Sequence, residues 1–221
     1  MQICIVLVLV ALGCFYFFYI RNNMQSKSIQ KIVTEEKNKG IEFEEEVAKY
    51  LEGKPVKVLR NLIIPNGKKG TTEIDLVVLS TKGFYVLECK NYSGYVIGGE
   101  DEHNWTISYK YKNYKKNISF YNPLKQNSGH VTALRKMFPK YYFQSVVLFS
   151  DNTGLSNNLF KRKDVMQLKG FKWFMENAFS KRKETETEAV VESIYDYLKA
   201  YENKGREAHI AYVKSFKNNI A

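Results

Sequence analysis

Two adjacent runs constrain the fold of this chain more than anything else in it. IDLVVLS (74–80) and FYVLECK (84–90) are apolar at odd and even positions alike, and only Thr81, Lys82 and Gly83 separate them. Successive side chains of a strand point to opposite faces, so a run that is apolar on both faces has to be covered on both. The pair therefore predicts the central hairpin of a sheet with other elements packed on each side. VKVLRNLII (56–64) precedes it across the turn-rich PNGKKGT and extends the meander to three strands.

The flanking segments supply the cover. GIEFEEEVAKYLEG (40–53) spaces Ile41, Phe43, Val47, Tyr50 and Leu51 along one helical face and stops at Gly53 and Pro55. Trp105 to Tyr121 alternates polar and aromatic residues and predicts a hairpin or edge pair turning at Lys112-Asn113. Asn122-Pro123 opens a helix through about Met137, and FQSVVLFS (143–150) returns the chain to the sheet. Beyond Asp151 come an apolar piece at Val165 to Leu168, a helix near Phe171 to Phe179, and a longer helix from about Glu184 to Tyr201. This order predicts an α/β or α+β fold with a mixed central sheet flanked by helices.

Ahead of this globule, Ile3 to Ile20 is an uncharged run of eighteen residues. As a helix it would reach roughly 27 Å, enough for a bilayer core, so residues 1–20 are expected to be a single transmembrane anchor and 21–38 a polar linker. Arg21, Lys27 and Lys31 follow the run, which places the rest of the chain on the cytoplasmic side, and Tyr16 and Tyr19 suit the membrane interface. A cleaved signal peptide fits less well, since a charged n-region and an Ala-x-Ala site are both missing. Ala11-Leu12-Gly13-Cys14 resembles a lipoprotein site but lacks the basic start.

Lys and Arg outnumber Asp and Glu by 34 to 23, a net charge of +11 that favours nucleic acid or anionic lipid as partner. Cys4, Cys14 and Cys89 are too scattered for a disulfide framework or a zinc site, and no phosphate-cradling Gly-x-x-x-x-Gly-Lys or Gly-x-Ser-x-Gly occurs. The basic charge is concentrated. His103 to Ser150 holds no Asp or Glu, while Lys110, Lys112, Lys115 and Lys116 alternate there with Tyr109, Tyr111 and Tyr114. That interleaving suits phosphate contacts beside stacking rings, and also suits a solvated edge strand. Lys68 and Lys69 precede the second strand and could reach the same ligand.

If Ser80 pairs with Gly83, Asp75 falls opposite Glu88, with Lys90 two residues further along the same face. Facing carboxylates repel unless a cation or a proton lies between them. A divalent ion held by Asp75 and Glu88 resolves the conflict, and magnesium or manganese suits such hard oxygen ligands. A plain salt bridge from Lys90 to one carboxylate is the simpler alternative. Glu44 sits among Glu42, Glu45 and Glu46, which on their own read as a solvated helix face.

Asp75 followed by Glu88-Cys89-Lys90 resembles the PD-(D/E)xK nuclease core. The wider set of Lys39-Gly40, Glu44, Thr72-Glu73-Ile74-Asp75, Glu88 to Gly94, Trp105 and Asn122-Pro123-Leu124-x-Gln126 is similar to the nuclease-related domain family. The resemblance implies a restriction-endonuclease-like sheet, Asp75 and Glu88 as metal ligands, Lys90 as the catalytic lysine, Glu44 as an auxiliary carboxylate and Gln126 as a supporting polar residue. It covers about residues 39–135. Phe43 and Cys89 depart from the family pattern, which usually has Gly and Val there. The sequence thus leads to the expectation of a nuclease-like domain over 39–150, a mainly helical C-terminal extension over 151–221, and a membrane-anchored, magnesium-dependent nuclease acting on DNA in preference to RNA. The alternative is a non-catalytic nucleic-acid-binding or membrane-tethered adaptor on the same fold.

Overall fold

The computed structural model describes residues 38–67, 70–111 and 114–211, with the side chains of 111, 114 and 115 outside the description. The expected anchor, all of the linker but Asn38, and Lys68, Lys69 and Lys112 lie outside the described residues. The chain divides into two compact units, Met1–Ile41 and Glu42–Ala221. Of the first, residues 38–41 are described and are helical; both sheets belong to the second. Among the described residues no helix is long and apolar enough to cross a membrane.

The fold is mixed α/β with two mixed sheets. The larger sheet has the order β1 (Lys57–Pro65), β2 (Thr71–Ser80), β3 (Gly83–Lys90), β7 (Phe143–Phe149), β9 (Val165–Gln167). Its first three strands are antiparallel and its last two run parallel to β3. The register of β2 on β3 starts at Ser80–Gly83 and runs to Leu76–Leu87. Gly83 makes the turn possible at φ 129°, a conformation that side chains resist.

Both faces of the central hairpin are covered. On one, Leu76, Val78, Tyr85, Leu87 and Cys89 pack against helix α1, described over 38–52, through Phe43, Val47, Ala48 and Leu51. After the short helix α3 (Asn157–Phe160), helix α4 (Leu168–Trp173) and the π-helical turn Phe174–Phe179 close the same face with Phe171, Met175 and Phe179. On the other face, Val77, Leu79, Phe84 and Val86 meet Ala133 and Leu134 of helix α2 (Pro123–Met137) and Val191, Ile194 and Leu198 of helix α5 (Glu188–Lys199). Helix α5 begins later than its periodicity suggests. Thr185 and Glu186 donate their N–H groups to Thr81 O at 2.7 and 3.0 Å, and Thr187 then caps the helix.

The second sheet, in the order β6 (Tyr114–Tyr121), β5 (Asn104–Tyr111), β4 (Tyr95–Ile97), β8 (Gly154–Leu155), is a finding of the structure. The hairpin expected at Lys112-Asn113 forms its core, while β4 and β8 are too short to carry a period-2 signal. Trp105, fully buried, donates from Nε1 to Gly99 O at 2.9 Å, and its ring lies so close to Gly98 that a Cβ there would collide with it.

Candidate active site

The site lies where β2 and β3 separate. Main-chain pairing stops at Leu76–Leu87, one residue short of the expected Asp75–Glu88 pair. In its place, the Asp75 carboxylate accepts the Cys89 N–H at 2.8 Å. The inside-outside alternation also breaks at Asp75, because Ile74 joins Val77 in one core while Leu76 enters the other. Opposite it on β1, Asn61 has φ 48° and interrupts the β1–β2 pairing at the same level. This paired irregularity frees Asp75 from the sheet faces.

Glu88 is buried at 1% exposure. Its Oε2 lies 3.1 Å from His130 Nε2, and His130 Nδ1 is 2.8 Å from Thr72 Oγ1. Lys90 Nζ is 2.5 Å from Glu88 Oε1 and 3.5 Å from Gln126 Oε1. Gln126 and His130 are one turn apart on α2, so a single helix face supplies both. Lys90 therefore contacts Glu88 Oε1 and His130 contacts Oε2, so both oxygens of this buried carboxylate have a partner. Cys89, between the two charged residues, faces the opposite core as expected.

The structure separates Glu44 from its acidic neighbours. Glu42, Glu45 and Glu46 are exposed, whereas Glu44 is half-buried, within electrostatic reach of Glu73, Glu88, Lys90 and Arg206. Burial and then Glu73 and Glu88 raise its pKa. Burial and then Glu88 push Asp75 well above the usual carboxylate range, against the pull of Lys90 and the Cys89 N–H. For Glu88 burial acts in the same direction, but Lys90 and His130 overcome it and hold it ionised. Lys90 is raised: its burial opposes the charge, and Glu88 and Asp75 more than offset that. Four carboxylates, Glu44, Glu73, Asp75 and Glu88, thus lie around Lys90 and Arg206, and a divalent ion among them would favour the ionised forms of Glu44 and Asp75.

Among the described residues no group of three His, Cys, Asp or Glu is placed to hold a metal by itself. The donor set present nevertheless fits an ion of the magnesium class, which takes one or two protein carboxylates and completes its shell with water and substrate phosphate. Asp75 and Glu88 are such a pair of carboxylates, each within reach of Lys90.

Of the candidate nucleic-acid contacts, Lys110 and Lys116 are exposed on the β5–β6 hairpin, and the register puts them on opposite faces of it. They do not form one stripe. Lys115 belongs to β6 by its backbone. Sequence reasoning undervalues His130: it allows an approach to the site from the Gln126 helix but favours an ordinary surface or partly buried histidine, whereas the structure buries it against Glu88. It misses Arg206, whose approach depends on the tertiary path. A groove of about 650 Å³ lies elsewhere, between β1, α5 and residues 204–209, and includes neither Asp75 nor Glu88.

A protein of Bacillus anthracis described as uncharacterized is 36% identical over 84 residues, 38% of this chain and 38% of that protein's own length. No solved structure matches the chain. The nuclease-related domain model matches residues 39–150, just over half of the 221 residues. This match, together with the Asp75, Glu88 and Lys90 arrangement it encloses, leads to the conclusion that the chain belongs to the nuclease-related domain family.

Proposed function

We propose that this protein is a membrane-anchored, magnesium-dependent nuclease with a restriction-endonuclease-like core, hydrolysing phosphodiester bonds in DNA in preference to RNA. The observation that carries the proposal is a second carboxylate, Asp75, within electrostatic reach of a buried Glu88, beside a lysine held between Glu88 and Gln126. A structural salt bridge has no use for that second carboxylate, and a binding surface has no use for burying it. Family membership supports a nuclease-related activity and an interaction with nucleic acid, since nuclease-related domains commonly use divalent metals on such substrates.

In this proposal Asp75 and Glu88 hold the ion. When bound, it supplies charge stabilisation at the phosphoryl oxygens and acidifies water. Glu88 is kept ionised and fixed in orientation by His130, whose own ring is set by Thr72. Lys90, steadied by Glu88 and Gln126, donates hydrogen bonds to the attacking water or to a phosphoryl oxygen. Glu44 is a supporting acceptor at the rim. The membrane anchor rests on the eighteen-residue apolar run and the basic residues that come after it.

The full-length chain in detergent is expected to cut DNA with magnesium and to stop when the metal is chelated. Asp75→Ala or Lys90→Ala should lower the rate by about 10²-fold or more, as for loss of a principal electrostatic group. Unchanged cleavage by Asp75→Ala would sink the assignment. DNA binding that is salt-sensitive, indifferent to magnesium and intact in that variant would instead identify an adaptor. Parallel assays on RNA decide the substrate preference, and membrane partitioning of the chain with and without residues 1–20 decides the anchor.

A further inference from the structure

The C-terminal part of the chain, beyond the matched residues 39–150, reaches the carboxylate cluster. After α5 the chain lays residues 201–203 along the outer edge of β1. Ile63 N donates to Tyr201 O at 3.1 Å, Asn203 N to Asn61 O at 3.0 Å, and Arg60 N to Glu202 Oε1 at 2.8 Å, with a bridge between Leu62 and Glu202. These ties surround Asn61, the residue opposite Asp75. Asn203 and Gly205, at φ 53° and 73°, then reverse the chain into a helix described over 206–211. His209 anchors that helix to the start of β2, with Nδ1 2.7 Å from Thr71 Oγ1.

This path delivers Arg206 to the rim of the site. One guanidinium nitrogen is 3.4 Å from Glu73 Oε1, and the side chain is 43% exposed. Its charge is felt at Glu44. A site with four carboxylates repels a polyanion, and Lys90 is deep and already engaged with Glu88 and Gln126. Among the described residues, Arg206 combines at this rim solvent exposure, a chain path tied to β1 by main-chain bonds at Tyr201 and Asn203, and a planar fork matched to phosphate oxygens. Its ion pair with Glu73 is long and involves one nitrogen, so a phosphate can replace it at small cost.

Building on the nuclease reading, we infer that Arg206 is a substrate-binding residue that grips a backbone phosphate of the nucleic-acid strand, exchanging Glu73 for it. The region that the family model does not match would then complete the substrate site. Glu73 holds the guanidinium in place until the strand arrives.

The test uses the full chain in detergent, comparing wild type, Arg206→Ala, Arg206→Lys and the control Lys181→Ala, which removes the same charge at the opposite end of the β2–β3 hairpin. Magnesium-dependent cleavage is measured first. Duplex binding is then measured across salt concentrations in an Asp75→Asn background, so that it does not depend on turnover. Arg206→Ala should raise KM about 5- to 20-fold with kcat within about twofold, and reduce the salt slope of binding by about 0.9, the value for one duplex phosphate contact. Arg206→Lys should restore the slope but only part of KM, and Lys181→Ala should change neither. A KM and slope equal to wild type in Arg206→Ala overturns the inference. So does an equal loss in Arg206→Lys and Arg206→Ala accompanied by a lowered melting temperature, which marks a structural ion pair. Absence of cleavage in the wild type refutes the nuclease reading alone, because the binding slope still reports on Arg206.

Discussion

Asp75 occupies a position that is unfavourable without a counter-ion. It sits at the break in β2, accepts a single main-chain hydrogen bond, and faces a Glu88 that His130 and Lys90 keep charged. Burial and that neighbour raise its pKa, so the folded state holds a proton there that the unfolded chain releases near pH 3.9. Stability from this group is therefore complete below the unfolded value and is lost as pH rises through the raised folded value. Glu88 has the opposite sign: its lowered pKa gives stability above the ordinary Glu range, which is lost as pH falls through the depressed value. Asp75→Asn keeps an acceptor for the Cys89 N–H and removes the charge. In metal-free buffer it should melt at a higher temperature than wild type at pH 7 to 8, with the gap closing towards pH 4. Magnesium should raise the wild-type melting point and leave the variant unmoved. A melting point for Asp75→Asn at or below wild type across this range would show that Asp75 is not under electrostatic strain. Cys89, one residue from Glu88, gives an independent reading of the same burial. Its thiol is pushed well above its normal value, so in the native protein peptide mapping should find it unalkylated at pH 8, and alkylated once the fold is opened with denaturant.

At the scale of elements, helix α2 links the site to the second sheet. Asn122 Oδ1 caps it by accepting from Leu124 N at 2.9 Å and Lys125 N at 3.4 Å, while its amide donates to the carbonyls of Gly99, Glu100 and Glu102 at 3.1, 3.1 and 2.7 Å. One buried side chain therefore fixes both the start of α2 and the loop before β5. Asn122→Ala should cost about 2–4 kcal/mol, combining a lost cap with stranded buried carbonyls. Asn122→Asp should cost at least as much, because it keeps the cap but sets a buried carboxylate oxygen against those three carbonyls. Chemical denaturation of the two variants measures this, and wild-type stability in Asn122→Asp would show that the donor side contributes nothing. Asn122-Pro123 was legible in the sequence because cap chemistry is local, and so were the two-faced strands and the Ser80–Gly83 register. The position of Glu44 was legible only through the family resemblance, since composition alone does not mark which of four neighbouring glutamates α1 turns inward. The exchange of the Asp75–Glu88 pairing for a bond to Cys89 N–H was hidden for a related reason: it depends on Asn61, fourteen residues away on another strand. The strands β4 and β8, of three and two residues, are set by their neighbours rather than by their own pattern.

At the scale of the whole molecule, the residues matched by the family model and the compact unit do not have the same boundaries. The match ends at residue 150, whereas the unit built around the sheet runs from Glu42 to Ala221. Beyond 150, β9 pairs with β7 at the edge of the larger sheet. Leu168, Phe171, Met175 and Phe179 complete one core, and Val191, Ile194 and Leu198 complete the other. Burying a side chain of this kind contributes about 1.5–3 kcal/mol. Removing seven of them exceeds the roughly 5–15 kcal/mol that holds an ordinary domain together. It also uncovers the two-faced strands β2 and β3. A chain ending at residue 150 should therefore be recovered as aggregate, or lack a cooperative melting transition, whereas a chain ending at 203 should melt cooperatively with both cores intact. These two truncations also separate folding from function. The chain ending at 203 keeps Asp75, Glu88, Lys90, Gln126 and His130 but lacks Arg206, so it should remain folded and bind nucleic acid with the weakened salt dependence expected of Arg206→Ala. Cooperative melting by the chain ending at 150 would show that the segment after the family match is an appendage rather than half of the core.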